Sequence, residues 1–393
     1  MQFISKTSKA HLVDKIIPEL TSDLQGEFDL AILFVTPKKQ DEVKGIVEQL
    51  NAKLKIKNFF GCTAAGIIGN DEEIEDFAGA SLLLARLPEV KIYPYFIDDG
   101  QLEGLQNNND WYEFFDVYPN ENPVFLTLPD PFNFDMERYL KGMNAAYPNC
   151  SIFGGLASGT ASPNGNTMIL NNQYFTQGVI GCALVGNIKV DTVVSQGCRP
   201  VGETFIVTKV QDNVVYELAG RPFLEVAKKV FEKASDRDKR LAQQMLFLGI
   251  AMDEYKQDLK RGDFLIRGVM GIDQATGAGI VADHVKQGRT VQFHLRDAQT
   301  ATEDLIEMLA CYRKQFPNQQ PAGALLFSCN GRGQHLFNEL NHDIRIIQNH
   351  LGPVQAAGFF CAGEIGPISG KNYLHGFTDS IALFYPQKVG DSP

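Results

Sequence analysis

Arg332, in the segment SCNGRG, and Glu364, in GFFCAGEIG, set a guanidinium and a carboxylate beside glycine-rich turns. A guanidinium is a planar fork of donors that grips carboxylates and other anions bidentately, whereas a carboxylate answers an ammonium. With Asn330 and the backbone amides of Gly331, Gly333 and Gly363, the two would clamp an amino-acid-like ligand. The competing arrangement is a structural ion pair in which arginine and glutamate bridge two halves of the molecule. Arg199, biased towards extended backbone by Pro200, is a further candidate to hold an anion. Arg267 lies in a largely apolar run, FLIRGVMGI, where a buried charge needs a partner. Cys361 and Cys329 would be nucleophiles given His375 or His335 as base, because the reactive species is a thiolate of lowered pKa. Packing as small buried residues is their plainer role. No metal-ligand spacing links the cysteines and histidines, so neither metal nor cofactor is expected.

These side chains stand on a unit that the chain repeats. The apolar run AILFVT, residues 31–36, stops at Pro37. Val43, Ile46, Val47, Leu50 and Leu54 then lie on one helical face, and Gly61 and Gly66 frame a turn before SLLLARL. A shift of 93 residues finds Val124–Leu128, then Met136, Tyr139, Leu140, Met143 and Tyr147, then Gly154 and Gly159, then VIGCALVG. A third copy opens with ALLF, places Leu340, Ile344, Ile347 and Leu351 at helical spacing, and carries Gly358 and Gly363 before DSIALFYP. The residues after the second glycine, Ile67, Thr160 and Glu364, exclude a phosphate-binding P-loop, which needs Lys and then Ser or Thr there. Positions that obey the repeat serve the fold, and polar departures mark a pocket. Glu364 replaces Ile67 and Thr160, and Cys361 replaces Ala64 and Ala157.

The intervening stretch reads as a hairpin around Gln211–Asp212–Asn213, a helix from Pro222 towards Phe231, and a strand meander over 264–296. In its last run Val291, Phe293 and Leu295 point inward, leaving Gln292, His294 and Arg296 on a wet face. Thr300 to Glu303 has the pattern of a capping box for a helix that turns Leu305, Met308, Leu309 and Tyr312 inward. Residues 233–244 read as a solvated helix or linker. The expected fold is α/β (α+β), with mixed sheets flanked by helices and two halves, 28–220 and 221–385. Short turns after each Gly-x4-Gly imply antiparallel neighbours.

A length of 393 residues favours two domains. A net charge of −11 without a basic stripe speaks against nucleic acid. No apolar stretch is long enough to insert in a membrane, and the N-terminus lacks a signal-peptide core. Seven scattered cysteines without a CxxC fit reduced thiols, and the cytoplasm is the expected compartment.

The segments FGCTAAGIIG, FGGLASG, SQGCRPVG with ELAGRPFLEV, GDFLIRGVMGID, LLFSCNGRG and GFFCAGEIGP with HGFTDS resemble, in order, the FIST family, over about residues 28–385. That resemblance implies an N-terminal and a C-terminal FIST domain and a non-enzymatic sensory role in signal transduction. It also implies a small-molecule ligand such as an amino acid, and a separate signalling partner, since no kinase, cyclase, F-box or chemotaxis segment is recognisable. A cysteine-dependent hydrolase or transferase and a ligand-free interaction scaffold are the alternatives.

Overall fold

The computed structural model describes residues 1–36 and 39–387; Pro37, the expected stop of the first apolar run, and Lys38 lie outside them. Two compact units result. One comprises Met1–Val194, Ile306–Leu374 and the chain from Thr378, and the other Ser195–Leu305 with His375–Phe377. The boundary expected near residue 220 falls inside the second unit. The fold is mixed α/β.

The first unit holds the three repeats. Each supplies an opening strand (Leu30–Val35, Val124–Pro129, Gly323–Cys329), a helix (Gln40–Lys53, Met136–Ala146, His342–Leu351) and a parallel strand (Phe59–Thr63, Ile152–Gly155, Ala356–Cys361). A hairpin follows (66–74, 168–175, 364–375), then a closing strand (Ala80–Arg86, Val179–Gly186, Asp379–Tyr385) that returns antiparallel to the opening one. The hairpins do not stay at home. The first repeat's pairs with the third repeat's parallel strand, the second's with the first's, and the third's with the second's. The turn after each Gly-x4-Gly therefore hands the chain to another sheet instead of joining neighbours, which corrects the sequence expectation. The antiparallel partner comes from a different repeat. Gln2–Ser8, Val90–Ile97 and Lys189–Ser195 complete the other edges, giving three six-stranded sheets of one strand order.

The first glycine of each pair has one cause. Gly61, Gly154 and Gly358 lie opposite Leu33, Thr127 and Leu326 of their opening strands. A Cβ there would come within 2.1, 1.8 and 2.0 Å of those residues' carbonyl oxygens. The strands are buried on both faces, which is why they read as solid apolar runs. Ile32, Phe34, Phe60, Leu126, Phe153, Phe327, Phe359 and Cys361 meet in one core that all three sheets share. Ala31, Leu33 and Val35 instead pack with Val43, Ile46, Val47 and Leu50 of the first helix. Leu340, expected on the third helix, lies before it and is 59% exposed; extra residues between strand and helix in this copy shift the register.

In the second unit six antiparallel strands close a ring: Cys198–Gln211, Thr290–Arg296, Phe247–Ala251, Phe264–Ile272, Gly279–Val281 and Val214–Leu218, the last pairing back to the first. The expected hairpin at Asp212 and the helix Phe223–Glu232 are present. The meander is not sequential, because Thr290–Arg296 pairs with Cys198–Gln211 and Phe247–Ala251. Nor is its polar face fully wet. Gln292 and His294 are buried, and burial pushes His294 down to about 4. The long helix Ala298–Gln315 starts one turn earlier than its expected box, with Asp297 accepting from the Thr300 amide at 2.8 Å.

Candidate functional site

The site residues of the first unit lie where the third repeat's strands end. At one level of the sheet, opening and closing strands face each other as Val35 with Ala80 in the first repeat and as Pro129 with Val179 in the second. In the third they face as Ser328 with Asp379. An apolar pair has become a polar one, both members fully buried.

Beyond Ser328 the chain turns through Cys329, Asn330 and Gly331 and drives Arg332 inward, where it is wholly buried. Gly333 then takes φ +66° directly beneath Glu75, whose carboxylate a Cβ would approach to 2.3 Å. Arg332 spends Nε and Nη2 on the two oxygens of Asp343, at 2.7 and 2.9 Å. Its Nη2 also lies 3.0 Å from Asp379 Oδ2, an ion contact too poorly aligned for a hydrogen bond. The Phe337 ring sits 5.2 Å from the guanidinium and stacks on His342, whose Nδ1 is 2.9 Å from Asp343.

The first repeat's exchanged hairpin closes this cluster. Glu73 accepts the Ile344 amide at the start of the third helix, and the Glu73 amide donates to Asn341, both at 2.8 Å. Glu75 accepts the Gln334 amide at 2.8 Å. Burial alone would raise Asp343, but the Arg332 guanidinium outweighs it and holds this carboxyl well below the usual range. Burial pushes Asp379 up to about 8 against the pull of Arg332. Burial, then the Asp343 charge, lifts Glu73 well above an ordinary glutamate. The cluster thus holds one ion pair, Arg332 with Asp343, beside two carboxyls whose surroundings favour the protonated form. Arg332 Nη1, Ser328 Oγ, Asp379 Oδ1 and Glu73 Oε2 are buried without hydrogen-bond partners among the described residues.

Next to it, the three Gly-x4-Gly turns touch one another. The Ser158 hydroxyl donates to the Phe360 carbonyl and accepts the Ala65 amide, and the Leu156 amide donates to Gly363. Asn330, exposed at the rim, turns its side-chain nitrogen to the carbonyls of Phe360 and Cys361, at 2.8 and 3.3 Å. Glu364 is fully buried and accepts the Thr378 amide at 3.0 Å. The Cys361 thiol donates to Ser328 O at 3.2 Å and faces Glu364 Oε1 at 3.4 Å. Burial, then Glu364, pushes that thiol well above its usual range, so it is a protonated donor at neutral pH and a poor nucleophile. Cys329 is half-exposed, and its sulfur accepts a long 3.5 Å contact from the Gly331 amide. His335 is exposed on the short helix Gln334–Phe337. No three metal-ligating side chains converge among the described residues.

Of the sequence-derived candidates, Asn330, Gly331, Arg332, Gly333, Cys361, Gly363 and Glu364 share this region. Arg332 pairs with Asp343 and Asp379, not with Glu364 as the bridging alternative had it. Arg199, Arg267 and His375 belong to the second unit. Arg199 is bound by Asp238 there, and Arg267 by Asp283 at 2.5 Å. Asp343, Asp379, Glu73 and Ser328 were missed. Asp379 breaks the repeat as plainly as Glu364 does, standing where Ala80 and Val179 stand, so the same test finds it. Glu73 carries no such mark, because only the exchange brings it here.

Family models match along most of the chain, as the FIST N domain over residues 29–221 and the FIST C domain over 224–367. An uncharacterized protein of Mycobacterium tuberculosis is 35% identical over 356 residues, 90% of this chain and 91% of that one. Another, from Mycobacterium bovis, is 35% identical over 364 residues, 92% of each. A cyanuric acid hydrolase from A. caulinodans superposes over 98% of this chain and 100% of its own, but with a TM-score of 0.33 and 7% identity, too little to argue from.

Proposed function

Because the chain belongs to the FIST family, whose domains are associated with sensing and signal transduction, we propose that it is a cytoplasmic small-molecule sensor. Its ligand is an amino acid or a similarly small polar metabolite, bound at the loop end of the third repeat. The observation carrying this reading is the set of buried polar atoms without partners among the described residues around Arg332, which gathers Ser328, Arg332 and Asp379 of the departing repeat with Glu73 of the first repeat's exchanged hairpin. A buried donor or acceptor left unmet costs about 1–3 kcal/mol, and a ligand with both kinds of group relieves that cost. Glu364 is a buried carboxyl of this region, and the Arg332 guanidinium is already gripped by Asp343, which favours a ligand bearing an ammonium. Glu364 is its proposed counter-ion. The exposed Gly331 amide, which makes a long 3.5 Å contact with the Cys329 sulfur, is the proposed donor to the ligand's carboxylate. The signal then passes to a separate protein partner.

Calorimetry with a panel of amino acids tests the proposal. Saturable heat is expected from at least one, weakened about tenfold or more by Glu364→Gln in a variant whose circular dichroism is unchanged. If no amino acid or small polar metabolite binds, the sensor reading fails and a ligand-free scaffold takes its place. If one binds but Glu364→Gln leaves its affinity intact, the site lies elsewhere.

A further inference from the structure

Arg296 ends the strand Thr290–Arg296 in the second unit, and both its Nε and Nη2 are buried without a hydrogen-bond partner among the described residues. These two nitrogens form one edge of the guanidinium. Arg332 uses the same edge to grip Asp343 at 2.7 and 2.9 Å, so the chain itself displays what that edge does once a carboxylate reaches it. Five other arginines of the second unit are matched to acids: Arg199 to Asp238, Arg237 to Asp297, Arg261 to Asp304, Arg267 to Asp283 and Arg289 to Glu254. Buried donors on a charged group are seldom left unmet.

A second observation concerns what lies against the guanidinium. The Phe377 ring is 5.4 Å from it, and Phe247 meets that ring edge-on at 4.7 Å. Phe377 adopts φ +67°, the left-handed region that a bulky side chain rarely occupies and that costs free energy to hold. Such strain persists where surrounding structure demands it, and it gathers at ligand sites. An aromatic ring beside a guanidinium attracts its charge without consuming its N–H donors, which stay available to an anion.

We propose that Arg296 and Phe377 form a carboxylate-binding site in the second unit, with Nε and Nη2 donating to the two oxygens of a small monocarboxylate. A single unmatched positive charge suits a single negative one, which favours carboxylate over phosphate. The site shares no residue with the loop of the third repeat and does not depend on the ligand assigned there.

Protein labelled with nitrogen-15 arginine gives a direct readout on the unmodified chain. The Arg296 Nε–Hε resonance, assigned by its loss in Arg296→Lys, is followed during titration with acetate and, separately, with inorganic phosphate. A saturable acetate shift is expected, with calorimetric affinity reduced about tenfold or more in Arg296→Gln and also reduced in Phe377→Leu. No saturable shift with acetate overturns the site. Acetate binding that survives Arg296→Gln overturns the assignment to this arginine, and a response to phosphate in preference to acetate overturns the carboxylate class.

Discussion

Asp343 and Asp379 share one arginine yet shift in opposite senses, because Asp343 receives two aligned hydrogen bonds that outweigh its burial and Asp379 only a misaligned ion contact that does not. Asp343→Asn leaves the buried Arg332 without its main counter-charge and is expected to cost about 3–5 kcal/mol, read from the urea midpoint. Asp379→Asn removes a carboxyl that is already protonated at neutral pH and is expected to cost far less. The pH dependence follows from the two shifts. A carboxyl raised to about 8 binds more protons folded than unfolded, so its contribution falls as pH rises from about 4 to about 8. Asp343 is depressed, so its contribution is present above the ordinary aspartate range and is lost as the solution is acidified. Urea midpoints measured between pH 5 and pH 8, where the raised carboxyls titrate alongside histidines common to both proteins, should decline less steeply in Asp379→Asn than in the parent. An unchanged slope would mean that Asp379 is ionised throughout.

The strand glycines and the exchanged hairpins act at the level of elements. Gly358→Ala and Gly61→Ala would press a methyl against a carbonyl oxygen at 2.0 and 2.1 Å. The parallel strand would have to leave its partner, at an expected cost of about 3 kcal/mol or more. Gly45, inside the helix Gln40–Lys53, has nothing within 4 Å of its Cβ position, so Gly45→Ala should stabilise by about 0.5–1 kcal/mol through helix propensity. Opposite signs in thermal melts of these variants would separate the two roles of glycine. Glu73 caps the third helix from the first repeat's hairpin. Its loss in Glu73→Ala should cost about 1–2 kcal/mol, and Glu73→Gln, which keeps an accepting oxygen and the shape of the side chain, should cost much less.

For the first unit as a whole, cyclic exchange means that no repeat completes a sheet from its own strands. A fragment of residues 1–221 keeps the first two repeats but lacks the strands Gly323–Cys329, Ala356–Cys361 and Asp379–Tyr385, the middle of the third sheet. The hairpin 66–74 and the strand Lys189–Ser195 would then have no partner there. Such a fragment is expected to be aggregated or broadly protease-sensitive, whereas the full chain resists. A fragment with the parent's near-ultraviolet dichroism and monomeric sedimentation would show that the repeats fold independently.

Local chemistry made much of this legible from residue order alone. Strands buried on both faces need unbroken apolar runs, helices packed on one face need helical spacing, and a parallel strand pressed on a neighbour's carbonyl needs glycine. Each requirement is met within a few residues, so three repeats and the polar departures at Cys361 and Glu364 are visible without coordinates. Partner choice lies beyond such reading. Backbone hydrogen bonding is blind to side-chain identity, so nothing in residues 66–74 declares that their partner lies almost 300 positions away. Which acid answers Arg332, how Glu73 reaches a helix of another repeat, and why the edge of Arg296 is left unmet are settled only by packing across that distance. The electrostatic character of each group depends on how much water its neighbours exclude, and that is a property of the assembled sheets.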